Sequence, residues 1–125
     1  MENLKIPEGY QRIMPYLIVE NAAEFFNFTK NVFGAVEKYK AMRTETLIMH
    51  AEISIGGSVI MFADATTEHP KQTAGFFIYV DNCDAVYEKA LANGATTVTA
   101  PADQSYGRSA GIRDPFGNTW WLTSA

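Results

Sequence analysis

The stretch Pro15-Tyr-Leu-Ile-Val-Glu-Asn-Ala-Ala-Glu-Phe-Phe26 is repeated in outline about sixty residues later as Phe76-Phe-Ile-Tyr-Val-Asp-Asn-Cys-Asp-Ala-Val-Tyr87. Each copy then reaches the same Gly-Ala pair, at Gly34 and at Gly94. Each copy also ends on an apolar run that follows a glycine, Gly57 in the first and Gly117 in the second. Two copies of this length indicate a duplicated unit within one domain, since a solenoid needs more repeats.

Each copy has the pattern of a strand, a helix and three further strands. Aromatic and β-branched residues across 11–19 predict the first strand. Asn21, with Glu24 three positions later, predicts a helix that begins in a capping box, and Gly34 predicts its end. Between them the apolar positions recur at helical spacing, at Ala22, Phe25, Phe28, Thr29, Val32 and Phe33.

The remaining strands follow from alternation and from turn residues. In the first copy they are predicted at 35–43, 47–55 and 58–63. In the second copy Asn82 and Gly94 bound the helix, and strands are predicted near 96–100, 107–114 and 118–123, with a turn at Asp114-Pro-Phe-Gly117. We therefore predict one α+β domain over residues 1–125, with βαβββ units at 10–64 and 74–123. The units should form paired, curved antiparallel sheets with the helices outside.

Composition excludes several classes of partner. The formal charge is −4 and no run of Lys or Arg occurs, so nucleic acid and anionic membranes are not expected to bind. No apolar run approaches the length of a membrane span or signal peptide, which favours a cytoplasmic protein. Cys83 is the only cysteine, so an intrachain disulfide is impossible, and we expect a packed, unreactive thiol.

Period-two alternation sorts the strand residues between two faces of each sheet. The residues expected to pack under the helices are Leu17, Val19, Ile60, Phe62, Ile78 and Val80. The residues expected to face a cavity are Met14, Tyr16, Val59, Met61, Gly75, Phe77, Tyr79, Thr119 and Trp121. His50 and Glu52 join the cavity group, because the more apolar residues of their strand (Leu47, Met49, Ala51, Ile53 and Ile55) belong under the helix.

The duplicated plan, with Val-Glu-Asn at 19–21, Phe-Gly-Ala at 33–35 and Asp114-Pro-Phe-Gly-Asn118, resembles the vicinal oxygen chelate superfamily. That superfamily contains glyoxalases, ring-cleaving dioxygenases and antibiotic-binding proteins. Tyr106-Gly-Arg108 and the run from Arg113 to Leu122, together with His50-Ala-Glu-Ile, are similar to its PhnB-like branch. The resemblance implies a homodimer, because many relatives build their cavities across subunits.

The resemblance also implies where a divalent metal ion would be held. The positions that correspond to the usual four ligands are Met14, Gly75, Met61 and Trp121. A thioether, a hydrogen atom and an indole do not replace the carboxylate or imidazole ligands that such ions require. We therefore expect no metal site and no cofactor, and we do not expect glyoxalase or dioxygenase chemistry in its familiar form.

The aromatic residues favour a binding function. A stacking platform for a planar or apolar molecule is one interpretation, and the resemblance to antibiotic-binding relatives supports it. The opposing interpretation is that the same rings fill the core and the domain is an interaction module. For the binding hypothesis the predicted small-molecule contacts are Met14, Tyr16, His50, Met61, Phe77, Tyr79, Tyr106, Arg108 and Trp121.

An enzyme of the lyase or isomerase type is the alternative. His50 and Glu52 lie two residues apart on one strand face, so they are candidate catalytic residues for acid–base chemistry. A structural His–Glu contact is the simpler interpretation of the same spacing. Tyr106 and Arg108 flank Gly107 and form a candidate lip over the cavity, where Arg108 would bind an anionic group unless it is simply solvated.

Overall fold

The computed structural model describes residues 3–125, so Met1 and Glu2 of the predicted domain lie outside the described residues. It shows an α+β fold with two helices and two four-stranded sheets, which confirms the predicted fold class. The first unit comprises β1 (Tyr16–Val19), α1 (Ala22–Phe33), β2 (Val36–Met42), β3 (Ile48–Ile55) and β4 (Ser58–Asp64). The second comprises β5 (Gly75–Tyr79), α2 (Cys83–Ala92), β6 (Thr96–Gln104), β7 (Gly107–Arg113) and β8 (Thr119–Ser124). Neither helix is long and apolar enough to cross a membrane.

Both sheets are mixed, so the prediction of purely antiparallel sheets was wrong. Their strand orders are β1-β4-β3-β2 and β5-β8-β7-β6, and β1 pairs in parallel with β4, as β5 does with β8. Each helix carries the chain to the opposite edge of its sheet, where the next strand runs in the direction of the first. Two hairpin reversals then give the last strand that same direction.

The first strand is shorter than predicted, because it begins at Tyr16 and not at residue 11. The preceding residues are held by a side chain and not by a strand ladder. The Gln11 amide nitrogen donates to the Val59 carbonyl at 2.8 Å, and its oxygen accepts from the Val59 N–H at 3.3 Å. These hydrogen bonds fix the N-terminal segment (residues 3–15) to β4 of the first sheet.

The two helices begin in different ways. Asn82 caps α2 as predicted, since its side chain accepts from the Ala85 N–H at 3.1 Å. The predicted capping box at α1 was wrong, because Asn21 is left-handed (φ 66°) and its side chain makes no cap bond. The buried carboxylate of Asp64 takes its place, accepting from the N–H groups of Ala22 at 2.8 Å and Ile48 at 2.7 Å.

A bulge in β3 corrects part of the face assignment. Leu47 and Met49 were expected under the helix, but they are 37% and 45% exposed, whereas Ile48 is buried. Ala41 pairs with His50 while Met42 pairs with Ile48, so Met49 is an extra residue on β3. Beyond the bulge the alternation holds, since Ala51 and Ile53 are buried.

The two units share one core. Six other residues predicted to lie under the helices contribute to it: Leu17, Val19, Ile60 and Phe62 are buried, and Ile78 and Val80 pack against them partly buried. Phe116 lies in the turn before β8, yet its ring contacts α1, with centroids 5.6 Å from Phe25 and 6.3 Å from Phe28. The turn of the second unit therefore completes the core of the first.

That turn is organised by the buried carboxylate of Asp114. It accepts from the backbone N–H groups of Phe116 and Asn118, each at 2.9 Å. It also accepts from the Asn118 amide at 3.0 Å and from the Trp120 indole N–H at 2.9 Å. Gly117 follows with φ 94°, a conformation that glycine adopts without strain.

We predict that Asp114→Ala lowers the free energy of unfolding by about 3 kcal/mol or more, measured by urea denaturation. The change leaves the buried Trp120 N–H and Asn118 amide without their acceptor, and each such group costs about 1–3 kcal/mol. Asp81→Ala, at an exposed position, is the control and should change stability by less than about 0.5 kcal/mol. Equal effects of the two substitutions would contradict this account of the turn.

Candidate functional site

The predicted cavity residues lie in two groups, one on each sheet. Both groups are on the sheet faces turned away from the helices, because their neighbours along the strands are core residues. The first-sheet face carries Tyr16, His50, Glu52 and Met61, with Met14 just before β1. The second-sheet face carries Phe77, Tyr79 and Trp121, with Tyr106 in the turn before β7. Each face has its own chemistry.

The first-sheet face contains a line of four hydrogen-bonded side chains. The Tyr10 hydroxyl donates to one oxygen of Glu52 at 2.5 Å. The other oxygen of Glu52 lies 2.8 Å from His50 Nε2, and His50 Nδ1 lies 3.0 Å from the Tyr16 hydroxyl. We call Tyr10, Glu52, His50 and Tyr16 the polar line. The spacing of His50 and Glu52 was visible in the sequence, but Tyr10 was missed because it reaches Glu52 from the N-terminal segment.

Glu52 carries a charge although its side chain is nearly buried, with 8% of the residue exposed. Burial alone would raise the pKa of its carboxyl group. The hydrogen bonds from Tyr10 and His50 and the nearby Lys38 outweigh burial, so the pKa of Glu52 is lowered. The hydrogen bond to Glu52 in turn raises the pKa of Tyr10, and burial adds to that rise. The carboxylate is thus held ionised by its hydrogen-bond donors and by the nearby positive charge of Lys38.

A cavity lies between the N-terminal segment and the first-sheet face. Its volume is about 480 Å³, and its lining combines apolar residues with Glu52, two cations and the Tyr10 phenol. The lining residues are Leu4, Lys5, Ile6, Pro7, Tyr10, Gln11, Arg12, Met14, Glu52 and Met61. A small organic molecule fits a space of this size and composition.

The second-sheet face presents aromatic rings to solvent. Phe77 is 53% exposed, Tyr79 71%, Tyr106 55% and Trp121 39%, so the interpretation that these rings fill the core is contradicted. The rings of Phe77 and Tyr79 meet edge to face at 5.3 Å, and Tyr106 lies 6.4 Å from Phe77. We call these four residues the aromatic platform.

Trp121 rests on the backbone of the neighbouring strand. A Cβ atom at Gly111 would lie 2.5 Å from the indole, which no side chain tolerates, so the ring requires glycine beneath it. Trp120, the adjacent residue, points the other way and is fully buried in the core. One indole therefore supports the fold while the other is available to a ligand.

An apolar cleft adjoins the platform where the two units meet. It has a volume of about 480 Å³ and is lined by Gln11, Pro15, Ile55, Gly56, Ser58, Val59, Ile60, Phe76, Phe77, Ile78, Tyr79 and Trp120. Val59 was expected to face the cavity of the sheets, but it is buried in the wall of this cleft. Phe77 and Tyr79 thus belong both to the platform and to the cleft.

Arg108 is engaged elsewhere. Its guanidinium donates to both oxygens of Asp84 on α2, at 2.9 and 3.1 Å, and to Asp103 at 3.3 Å. The hydrogen bond to Asp84 raises the pKa of Arg108 and, from the other side, lowers that of Asp84. Since Arg108 reaches the helix side of the second sheet, it is not beside Tyr106 and the platform. A ligand contact by Arg108 stays a prediction that its present partners do not support.

Cys83 is buried, as predicted for a packed thiol. Its sulfur lies 3.7 Å from the Leu122 carbonyl, and burial raises the pKa of the thiol. A thiol with a raised pKa has little thiolate, the reactive form, so Cys83 is not a nucleophile.

The residues present do not fit the metal ion that the fold family implies. Met14 and Met61 offer thioethers, Gly75 offers no side chain, and Trp121 offers an indole. Between residues 3 and 125, no group of three or more His, Cys, Asp or Glu side chains is placed to hold a metal ion. Both ring nitrogens of His50 already have partners, Glu52 and Tyr16.

A sequence profile described as "Glyoxalase/Bleomycin resistance protein/Dioxygenase superfamily" matches residues 9–122. The chain belongs to this superfamily. It is also 32% identical over 122 residues to uncharacterized proteins of Mycobacterium bovis and Mycobacterium tuberculosis. These matches cover 88% of this chain, 80% of the Mycobacterium bovis protein and 72% of the Mycobacterium tuberculosis protein.

Several solved structures share the fold. A PhnB protein from Bacillus cereus superposes with a TM-score of 0.72 at 19% identity, covering 92% of this chain and 100% of that one. TioX from Micromonospora sp. ML1 gives 0.72 at 20% identity, covering 92% and 96%. The fosfomycin resistance protein FosX from Listeria monocytogenes gives 0.66 at 20% identity, covering 92% and 91%. The predicted resemblance is confirmed at the level of superfamily and fold.

We predict that Glu52→Gln destabilises the protein at pH 7 and that this deficit shrinks in acid, measured by urea unfolding between pH 7 and pH 3. The folded pKa of Glu52 is below its unfolded value of 4.5. The carboxylate therefore contributes stability above pH 4.5, and that contribution is lost as pH falls through the folded pKa. The exposed Glu88→Gln is the control, with no such deficit at pH 7. A deficit that grew in acid would contradict the lowered pKa of Glu52.

Proposed function

We propose that the protein binds a small aromatic or apolar molecule without a metal ion. The observation that carries the proposal is the aromatic platform, four large rings exposed on one sheet face next to an apolar cleft of about 480 Å³. Exposed apolar groups of this kind on a folded domain are typical of binding surfaces. A planar ligand that stacks on two of these rings gains about 1–3 kcal/mol from ring contacts alone.

Two further observations support binding of this type. The positions at which relatives would hold a metal ion contain Met14, Met61, Gly75 and Trp121, of which Met14 and Met61 line a cavity and Trp121 belongs to the platform. One structural relative is named as a fosfomycin resistance protein, and the superfamily name includes bleomycin resistance. Small organic molecules are therefore the class of partner that we propose, and we propose neither nucleic acid nor a membrane.

We also propose that the protein acts as a homodimer in the cytoplasm. The predicted ligand contacts lie on two sheets of one chain, and large apolar side chains are exposed on both faces: Tyr16, Tyr39 and Met49 on one, Phe77, Tyr79 and Trp121 on the other. A second copy would bring the first-sheet face of one protomer against the platform of its partner. Two equivalent sites would result, each lined by both chains.

The polar line favours a second candidate function, a lyase or isomerase that uses His50 and Glu52. A carboxylate held ionised next to an imidazole is an acid–base pair, and the cavity beside it admits a small molecule. This candidate needs no metal ion, in agreement with the binding proposal.

We predict that the neutral aromatic dye N-phenyl-1-naphthylamine binds saturably, with quenching of tryptophan fluorescence and a rise in dye emission. Phe77→Ala and Trp121→Ala should each raise the dissociation constant at least about tenfold, because each removes a ring of the platform. Lys89→Ala, which shortens an exposed side chain on α2 away from both sheet faces, is the control and should leave the dissociation constant unchanged.

The same titration tests metal independence. After dialysis against EDTA the dissociation constant should stay the same, and addition of Zn²⁺ or Mn²⁺ should not strengthen it. Loss of binding on chelation would overturn the metal-independent proposal, and equal binding by all the variants would overturn the assignment to the platform.

We predict a dimer in sedimentation velocity experiments at micromolar concentration, with a mass about twice that of the chain. Tyr79→Glu should shift the protein toward monomer, because it places a charge among the most exposed rings of the platform. Ala85→Glu, at an exposed position in the first turn of α2, is the control. A monomeric native protein would contradict the proposed arrangement.

A further inference from the structure

We propose that Tyr16 is the acid–base residue of the first-sheet face, and that Glu52 and His50 prepare its hydroxyl to transfer a proton. The inference deepens the lyase or isomerase candidate above and rests on it. It does not depend on the aromatic platform. It assigns the reacting atom to a residue that the sequence had indicated only as a ligand contact.

The groups of the polar line stand in the order Glu52, His50, Tyr16. An ionised carboxylate only accepts hydrogen bonds, so the His50 nitrogen that faces Glu52 at 2.8 Å, Nε2, carries the hydrogen. In the neutral ring Nδ1 is then an acceptor, and the Tyr16 hydroxyl, 3.0 Å away, donates to it. The order carboxylate, imidazole, hydroxyl is the arrangement by which proteins draw a proton from a hydroxyl group.

Exposure to solvent increases along the polar line from Glu52 to Tyr16. The Glu52 side chain is 10% exposed and that of His50 is 26% exposed, whereas Tyr16 is 47% exposed. The line thus ends on a half-exposed hydroxyl. Here the charge is buried and fixed, and the group that can meet a substrate lies at the solvent end.

The neighbours of His50 come from three strands, β1, β2 and β3. From its own strand it faces Glu52, from β1 it faces Tyr16, and from β2 the ring of Tyr39 lies at 6.1 Å. Lys38, also on β2, lies over the Tyr10 ring at 4.5 Å and does not contact His50. The imidazolium formed by proton transfer would therefore have a carboxylate beside it and no cation in contact, an arrangement that stabilises its charge.

The ligand class follows from this arrangement. The substrate presents a weakly acidic proton on an apolar body. Its bond to hydrogen breaks, the electron pair stays on the substrate, and the proton passes to the Tyr16 oxygen. The phenolic proton of Tyr16 moves at the same time to His50 Nδ1, so the products are a substrate anion and a His50–Glu52 ion pair. Return of the proton to another substrate atom completes an isomerisation without a co-reactant.

The test uses an aryl sulfonyl fluoride as the probe on the native chain, with labelled tyrosines located by peptide mass spectrometry. The Tyr16 oxygen attacks sulfur, fluoride leaves, and the phenolic proton passes to His50. Tyr39 is the internal reference, because it is on the same face and 53% exposed but is not hydrogen-bonded to His50. We expect Tyr16 to react at least about tenfold faster than Tyr39. Equal rates would overturn the proposal.

Variants separate this role from a structural one. His50→Gln and Glu52→Gln should lower the Tyr16 rate to that of Tyr39, and circular dichroism checks that each variant is folded. Tyr10→Phe keeps Glu52, His50 and Tyr16 in contact, so labelling of Tyr16 should persist. Tyr16 labelling that is unchanged in His50→Gln would overturn the role of the imidazole.

A spectroscopic measurement needs neither probe nor substrate. In ¹⁵N NMR of the native protein at pH 8, the hydrogen of the His50 ring should lie on Nε2, with Nδ1 as the acceptor from Tyr16. Glu52→Gln should alter this tautomer signature. A hydrogen on Nδ1 in the native protein would overturn the proposal. Failure of dye binding with fast Tyr16 labelling would sink the platform alone, and the reverse result would sink only the acid–base assignment.

Discussion

The structure depends on the buried carboxylate of Asp114. Four donors converge on it, and they come from the turn backbone, from Asn118 and from the indole of Trp120. Because the turn is fixed in this way, Phe116 points into the first unit and packs against α1. Trp120 stacks in the same core against Phe33 and Phe76. One polar residue thus fixes the relation of the two units, and with it the position of the cleft between them.

Local signals in the sequence predicted a large part of this fold. Asn82 as a helix cap, Gly34 as a helix end and the turn at 114–117 all follow from the preferences of a few adjacent residues. The predictions that failed concern contacts between separate elements of the fold. Asp64, 42 residues away, replaces Asn21 as the hydrogen-bond acceptor at the start of α1, and the Met49 bulge reflects pairing with β2. Alternation alone does not indicate such events.

The candidate site divides in the same way. The faces to which Tyr16, Met61, Phe77 and Trp121 belong followed from period-two alternation, and His50 and Glu52 were placed together by their spacing. The partners of polar groups did not follow. Tyr10 meets Glu52 from a segment without regular structure, and Arg108 meets Asp84 across the helix–sheet interface. Side-chain hydrogen bonds over such distances depend on the finished fold, which the local pattern does not contain.

The contact of Trp121 with Gly111 has a consequence for the shape of the platform. Since no Cβ atom separates the indole from the neighbouring strand, the ring lies as close to the sheet as van der Waals radii allow. The height of the platform above the backbone is therefore set by a missing side chain. An alanine at position 111 would raise the indole and make the surface shallower without altering any residue that meets the ligand. Relatives with the same aromatic residues could thus select ligands of different thickness through this one position.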